Sequence, residues 1–326
     1  MRPFNFKKLY LIIFLIPVFA LGDYKNTNGK AIKKPLKDLL KWQLNKTETN
    51  IEIIDISDDW KNFDLNKYDN YFIWIGHSTF LIKKNGVTIL SDPVFSDRAS
   101  PLKNFGPKRL IPPAIPIQSL PTIDIVTISH NHYDHLDIES IKKIYKKNSE
   151  TIFLIPMGDK DIFNNANIQN TYEFIWWDTI NILGLEFTFT PVQHWSARGL
   201  FDRNDSLWGG WFIKDKDYSI YHAGDSGYSN DFKATKAKLG SPKYAFIPIG
   251  AYDPEWFMSE SHVNPEEAVM IAKDLNATYS YGMHWGTFTL TSEDTIEPKT
   301  RLESYLDKDN STNFKAISPG KLIDLE

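Results

Sequence analysis

The chain has 326 residues, 42% hydrophobic and 24% charged, which is enough for one large domain with a substantial core. A net charge of -4 provides no basic field for holding nucleic acid by phosphate neutralisation, so nucleic acid is set aside as a partner. The absence of cysteine excludes disulfides, thiolate metal sites and cysteine nucleophiles, so any metal must rest on His and carboxylate.

Arg2, Lys7 and Lys8 precede an apolar run from Leu9 to Leu21, followed by Gly22 and a polar stretch from Asp23. Thirteen helical residues span roughly 20 Å, short of a ~30 Å hydrocarbon core. The layout predicts an export signal over 1–22, cleaved after Gly22, with a retained N-terminal anchor as the competing reading. The protein is therefore expected outside the cytoplasm, periplasmic or secreted. Residues 23–50 form a lysine-rich lead-in. Within it Leu36, Leu39, Leu40 and Leu44 share a helical face beside Lys33, Lys34, Lys37 and Lys41, and the helix is expected to pack on the main domain, with a membrane-surface helix as the alternative reading.

From residue 51 to 326 no linker divides the chain. Short apolar strands are predicted at Tyr71 to Ile75, Phe80 to Lys83 and Val87 to Leu90, the last two joined by an Asn85-Gly86 hairpin signal. A proline-laden loop leads to Ile123 to Ser129, an unbroken apolar strand of the kind buried on both faces. Ile138 to Lys147 reads as a helix capped by Asp137, and a second begins at the Asn264 cap, with Pro265 at the first helical position and Glu267 closing a capping box. Further strands are expected at 151–155, 185–191, 211–214, 218–222, 244–249 and 278–283. This is one α/β domain.

The most specific segment is Ser129-His130-Asn131-His132-Tyr133-Asp134-His135. A strand end turning into a loop aims His130 and His132 at one point and brings Asp134 and His135 round to a second, a pattern suited to two metal ions. Those four donors cannot complete two sites. His194, Asp225 and His284 each follow the end of another predicted strand, and Asp225, with two carboxylate oxygens, is the natural bridge.

These segments, in this order, resemble the metallo-β-lactamase superfamily. Narrower strings resemble its N-acyl-phosphatidylethanolamine-hydrolysing phospholipase D branch: Gly76-His77-Ser78-Thr79-Phe80, Ser91-Asp92-Pro93-Val94-Phe95, Gln193-His194-Trp195, Trp256-Phe257-Met258, His262-Val263-Asn264-Pro265 and His284-Trp285-Gly286. The resemblance implies a four-layer αββα sandwich. It implies His130, His132 and His194 on one zinc, Asp134, His135 and His284 on a second, and Asp225 joining them; iron or manganese are not excluded by the ligand types. His262 matches a position credited with assisting catalysis as a proton donor or phosphate contact, and Asp134 and Asp225 join it as catalytic candidates. His77, Trp195, Trp256, Phe257 and Trp285 are candidate substrate contacts, His77 being equally suited to brace a loop.

The activity implied is hydrolysis of a glycerophospholipid at a membrane surface to phosphatidic acid and the headgroup alcohol, two zinc ions activating the attacking water. A lactone or other carbonyl hydrolase is the enzymatic rival, because fold does not fix substrate. A non-catalytic zinc-binding, membrane-docking protein is the rival of another class. No residues match a dimer interface, so a homodimer stands only as an expectation.

Overall fold

The computed structural model describes residues 24–46, 48–309 and 311–325. The expected export signal over 1–22 lies outside the described residues. After the lead-in helix α1 (Leu36–Asn45), the first half of the domain runs β1 (Tyr71–Gly76), β2 (Thr79–Lys84), β3 (Val87–Ser91), β4 (Ile125–Thr127), α2 (Ile138–Lys147), β5 (Ile152–Pro156), α3 (Lys160–Asn165) and β6 (Thr171–Phe174). The second half runs β7 (Thr179–Ile182), β8 (Leu185–Thr190), β9 (Gly210–Lys214), β10 (Ser219–His222), α4 (Asp231–Leu239), β11 (Tyr244–Pro248), α5 (Glu255–Met258), α6 (Pro265–Leu275), β12 (Tyr279–Met283), α7 (Glu297–Leu306), β13 (Phe314–Lys315) and β14 (Leu322–Asp324).

The strands form two sheets, ordered β14-β1-β2-β3-β4-β5-β6 and β13-β12-β11-β10-β9-β8-β7. In the first, β3 to β6 run parallel; in the second, β10 to β13 do. Strand periodicity explains the layering. On β1, Phe72 and Trp74 point between the sheets toward Phe246 and Trp285, while Tyr71, Ile73 and Ile75 point outward into a cluster closed by Ile141 and Ile144 of α2 and Phe163 of α3. On the far side α6 lays Ala268, Val269, Ile271 and Ala272 on the second sheet. The result is the αββα sandwich of the metallo-β-lactamase fold.

Both helices with sequence caps begin where their caps place them. Asp137 accepts the Glu139 N–H at the start of α2, and Asn264 and Glu267 form the reciprocal capping box of α6. The central strand β4 is shorter than expected from the apolar run, because the Ser129 N–H leaves the ladder for the Asp92 carboxylate, 2.7 Å away. The lead-in helix buries its leucine stripe only in part, with Leu36, Leu39 and Leu40 half-buried. None of its residues is fully buried and Leu44 is 82% exposed; it meets the domain through Trp42, which packs on Phe257 and donates to Ser292, and through Lys41 over Trp256. Among the described residues no helix is long and apolar enough to cross a membrane.

Candidate metal centre

The candidate ligands gather between the two sheets, at the ends of their strands. The loop after β4 carries His130, His132, Asp134 and His135. His194 follows β8, Asp225 follows β10 and His284 follows β12. The donor atoms converge in overlapping groups: His130, His132 and His194 in one, Asp134, His135, His284 and His77 in another, with Asp225 beside His130 and His135 and also beside His194 and His262. In the first group the Nδ1 of His132 lies 2.9 Å from Nε2 of His130 and 3.3 Å from Nε2 of His194. In the second, Oδ2 of Asp225 lies 3.1 Å from Nε2 of His135 and 3.0 Å from Nε2 of His284, and Oδ2 of Asp134 lies 3.3 Å from the latter. Asp225 thus stands between the groups, as a bridging carboxylate must.

These contacts suit cations better than they suit one another. Nε2 of His284 and Oδ1 of Asp225, both within the cluster, are buried without a well-directed hydrogen-bond partner. Leaving such atoms unpaired costs about 1–3 kcal/mol each, and metal ions would satisfy them together. Burial lowers the pKa of His130 well below its ordinary value and those of His132 and His194 to about 3, so these rings are neutral, the form that offers a lone pair. Burial also opposes charge on His284, but Asp225 and Asp134 outweigh it and raise its pKa to about 9. Asp225 and Asp134, pulled back by His135 and His284 against their burial, lie well below the usual carboxylate range. The donor set of imidazole and carboxylate fits zinc, and equally iron or manganese.

A second layer of groups aims the ligands, most of it not singled out in the sequence. Asp92, at the end of β3, lies 2.7 Å from Nδ1 of His135 and accepts the Ser129 hydroxyl at 2.6 Å. The Ser261 carbonyl meets Nδ1 of His194 at 2.9 Å, and the buried Asn26 of the lead-in accepts the His194 backbone N–H at 2.9 Å. Such partners fix ring tautomer and orientation. Asp92 had a signal in the Ser91-Asp92-Pro93 string; Asn26, 168 residues from its partner, had none.

The remaining candidates fall in different places. His77 is buried, with Nε2 3.0 Å from Oδ2 of Asp134, and its carbonyl accepts the backbone N–H of His284 at 3.0 Å. It braces the second ligand group from behind. His262 places Nδ1 3.8 Å from Asp225, and burial lowers its pKa to about 3, so it stands as a neutral imidazole rather than as a charged acid. Trp195 packs edge-on against His132, ring centroids 4.3 Å apart. Trp285 is buried and stacks on Trp74 in the inter-sheet core, away from the mouth, while Phe257 is covered by the lead-in and Trp256 is 50% exposed.

An αββα sandwich with this set of donors at its strand ends defines a metal-dependent hydrolase. Residues 87–285 match a family described as "Beta-lactamase superfamily domain", and the chain belongs to that superfamily. It is 38% identical over 263 residues to the N-acyl-phosphatidylethanolamine-hydrolyzing phospholipase D 1 of Caenorhabditis elegans, covering 76% of this chain and 74% of the relative. It is 40% identical over 240 residues to the mitochondrial N-acyl-phosphatidylethanolamine-hydrolyzing phospholipase D of Saccharomyces cerevisiae, covering 72% of this chain and 51% of that one. Among solved structures, Igni18, a metallo hydrolase of Ignicoccus hospitalis, superposes with a TM-score of 0.58 at 23% identity, over 79% of this chain and 98% of its own, which is a likeness of fold.

Proposed function

We propose that this hydrolase is a phosphodiesterase of phospholipase D type, cleaving N-acyl-phosphatidylethanolamine or a related glycerophospholipid to phosphatidic acid and the headgroup alcohol. The observation that carries the reading is the 38% identity to the Caenorhabditis elegans phospholipase over three quarters of both chains. The centre is proposed to hold two zinc ions, one on His130, His132 and His194, the other on Asp134, His135 and His284, with Asp225 between them. When bound, they supply a water-derived nucleophile at neutral pH and polarise the phosphoryl oxygens.

The chain's own residues do the rest. Asp92 and His77 hold His135 and Asp134 in place, so that little reorganisation accompanies reaction. Neutral His262, beside Asp225, offers a ring N–H to a phosphoryl or leaving oxygen and a lone pair to an incoming water. Water adds to phosphorus, the bond from phosphorus to the headgroup oxygen breaks, and that oxygen leaves with a proton. The exposed Trp256 suits a lipid surface, where an aromatic ring can bury one edge and keep the other wet. Export, read from the apolar N-terminal run, would place that surface outside the cytoplasm.

The test presents purified, metal-quantified protein with mixed vesicles of N-acyl-phosphatidylethanolamine and phosphatidylethanolamine, following phosphatidic acid beside a His132→Ala control. Release that the substitution abolishes is expected. Two bound metals with no release from any phospholipid would overturn the reading and redirect the search to carbonyl substrates.

A further inference from the structure

Two cations, Lys34 and Arg203, stand near the metal centre without a salt bridge among the described residues. Lys34 arrives from the lead-in, donates to the Phe257 carbonyl and lies 4.4 Å from the centroid of that ring. Arg203 donates to the Ile32 carbonyl at 2.9 Å and lays its guanidinium 3.9 Å from the centroid of Trp195. Trp195 is the ring packed against His132, so one indole separates Arg203 from a metal ligand. Arg203 reaches Ile32, two residues before Lys34, and the Trp195 ring under it lies 6.2 Å from the His194 ring, which is 5.2 Å from that of His262, so the three groups border one region. The opposing carboxylate, Glu260, is an exposed side chain that forms no salt bridge to Lys34 among the described residues.

Taking two like charges out of water side by side is costly, and an anion placed between them recovers that cost. The desolvation is marked: burial lowers the pKa of Lys34 to about 8 and that of Arg203 to about 10. Neither cation is consumed by the hydrogen bonds it makes. An ammonium has three donors and a guanidinium five, so donors remain on both. An Arg and a Lys together are suited to a tetrahedral oxyanion, the first through its fork and the second as a point charge.

We propose that Lys34 and Arg203 form a binding place for a phosphate-class anion beside His262, through which the lead-in segment contributes directly to substrate recognition. The identity of the anion, a phosphate group of a lipid, rests on the phosphodiesterase reading; the existence of the site rests on two desolvated cations that no described carboxylate holds in a salt bridge.

The experiment titrates the metal-loaded protein with dihexanoyl phosphatidic acid, inorganic phosphate and uncharged dihexanoylglycerol, read by tryptophan fluorescence. Metal content is measured in every variant. Lys34→Met keeps the aliphatic stem and removes the charge; it is expected to weaken phosphatidic acid about tenfold, a typical loss for one charge-assisted hydrogen bond, and to leave dihexanoylglycerol unchanged. Lys34→Arg is expected to restore most of the affinity. Weakening of phosphatidic acid and inorganic phosphate alike assigns the bare phosphate group; weakening of the lipid alone assigns the phosphate on its glycerol. Equal phosphatidic acid affinities in Lys34→Met, Lys34→Gln and the unsubstituted protein, or a loss equally large for the uncharged ligand, would overturn the proposal. If the unsubstituted protein hydrolyses no phospholipid, the phosphodiesterase reading falls while this titration still decides whether the anion site exists.

Discussion

The carboxylate of Asp92 lies 2.7 Å from Nδ1 of His135, whose opposite nitrogen is 3.1 Å from Asp225. A buried acid behind the ring fixes which nitrogen faces the centre and makes that nitrogen a better donor. Asp92→Asn, similar in shape, is therefore expected to lower affinity for the second metal by about 10- to 100-fold. Competition with a chromophoric chelator measures it, and an unchanged affinity would show that the hydrogen bond carries no weight.

His77 predicts a division between the two sites. Its imidazole lies 3.0 Å from Asp134 and 4.0 Å, ring to ring, from His284, and it groups with these donors rather than with His130, His132 and His194. His77→Gln should leave one metal per chain after dialysis against low free metal where the unsubstituted protein keeps two. Retention of both ions would assign His77 to loop bracing alone.

Gly250 leaves almost no room at the end of β11. A Cβ there would lie 2.3 Å from the carbonyl oxygen of His284 and 3.3 Å from the Cα of Trp285, so a methyl group must push the metal-ligating loop aside. Gly250→Ala is expected to lower both the melting temperature and the metal content, with a stability loss of about 1–3 kcal/mol typical of overpacking. A variant that melts and binds metal normally would mean that the loop yields freely.

Asp159 supplies a pH dependence. Its carboxyl is buried against Asn131 of the metal-binding loop, and burial raises its pKa to about 7. The folded state therefore holds a proton that the unfolded chain releases near pH 4, so stability falls as pH rises between those values and levels off above about 7. Asp159→Asn should flatten that slope and raise stability at pH 8 relative to the unsubstituted protein. Denaturant midpoints measured across pH 4 to 8 would reveal parallel profiles if the group carries no linkage.

Asn26 ties the lead-in to the centre, its side-chain oxygen accepting from the backbone of His194 and, at 3.1 Å, from the indole N–H of Trp208. Asn26→Ala leaves the buried His194 N–H unpaired, which is expected to cost about 1–3 kcal/mol and to loosen the first metal. Calorimetry and metal titration together check this; a lead-in that merely drapes over the surface would change neither.

What could be read from the sequence, and what could not, follows the range of the forces involved. The caps at Asp137 and Asn264 and the Asn85-Gly86 hairpin are local, and each appears where its residues put it. The seven ligand candidates stood out because His and Asp at successive strand ends follow a pattern that short segments display. Helices α4 and α7, with weak apolar patterning, gave no such signal, and β6 and β7, although they alternate in polarity, are only four residues long. Asn26, Lys34 and Arg203 acquire meaning only once distant segments pack together. The lead-in was legible in part: Leu36, Leu39 and Leu40 are half-buried, whereas the contacts of Trp42 with Phe257 and of Lys41 with Trp256 exist only once distant segments meet.

The candidate metal ligands come from both sides of the sandwich, four from one sheet and three from the other. His130, His132, Asp134 and His135 leave the first sheet, and His194, Asp225 and His284 leave the second. Neither sheet by itself owns the whole donor set, so metal bound there would act as a rivet between two halves that must already have found each other. Misassembled chains would be catalytically silent rather than wrongly reactive, and bound metal would count the molecules whose halves are joined.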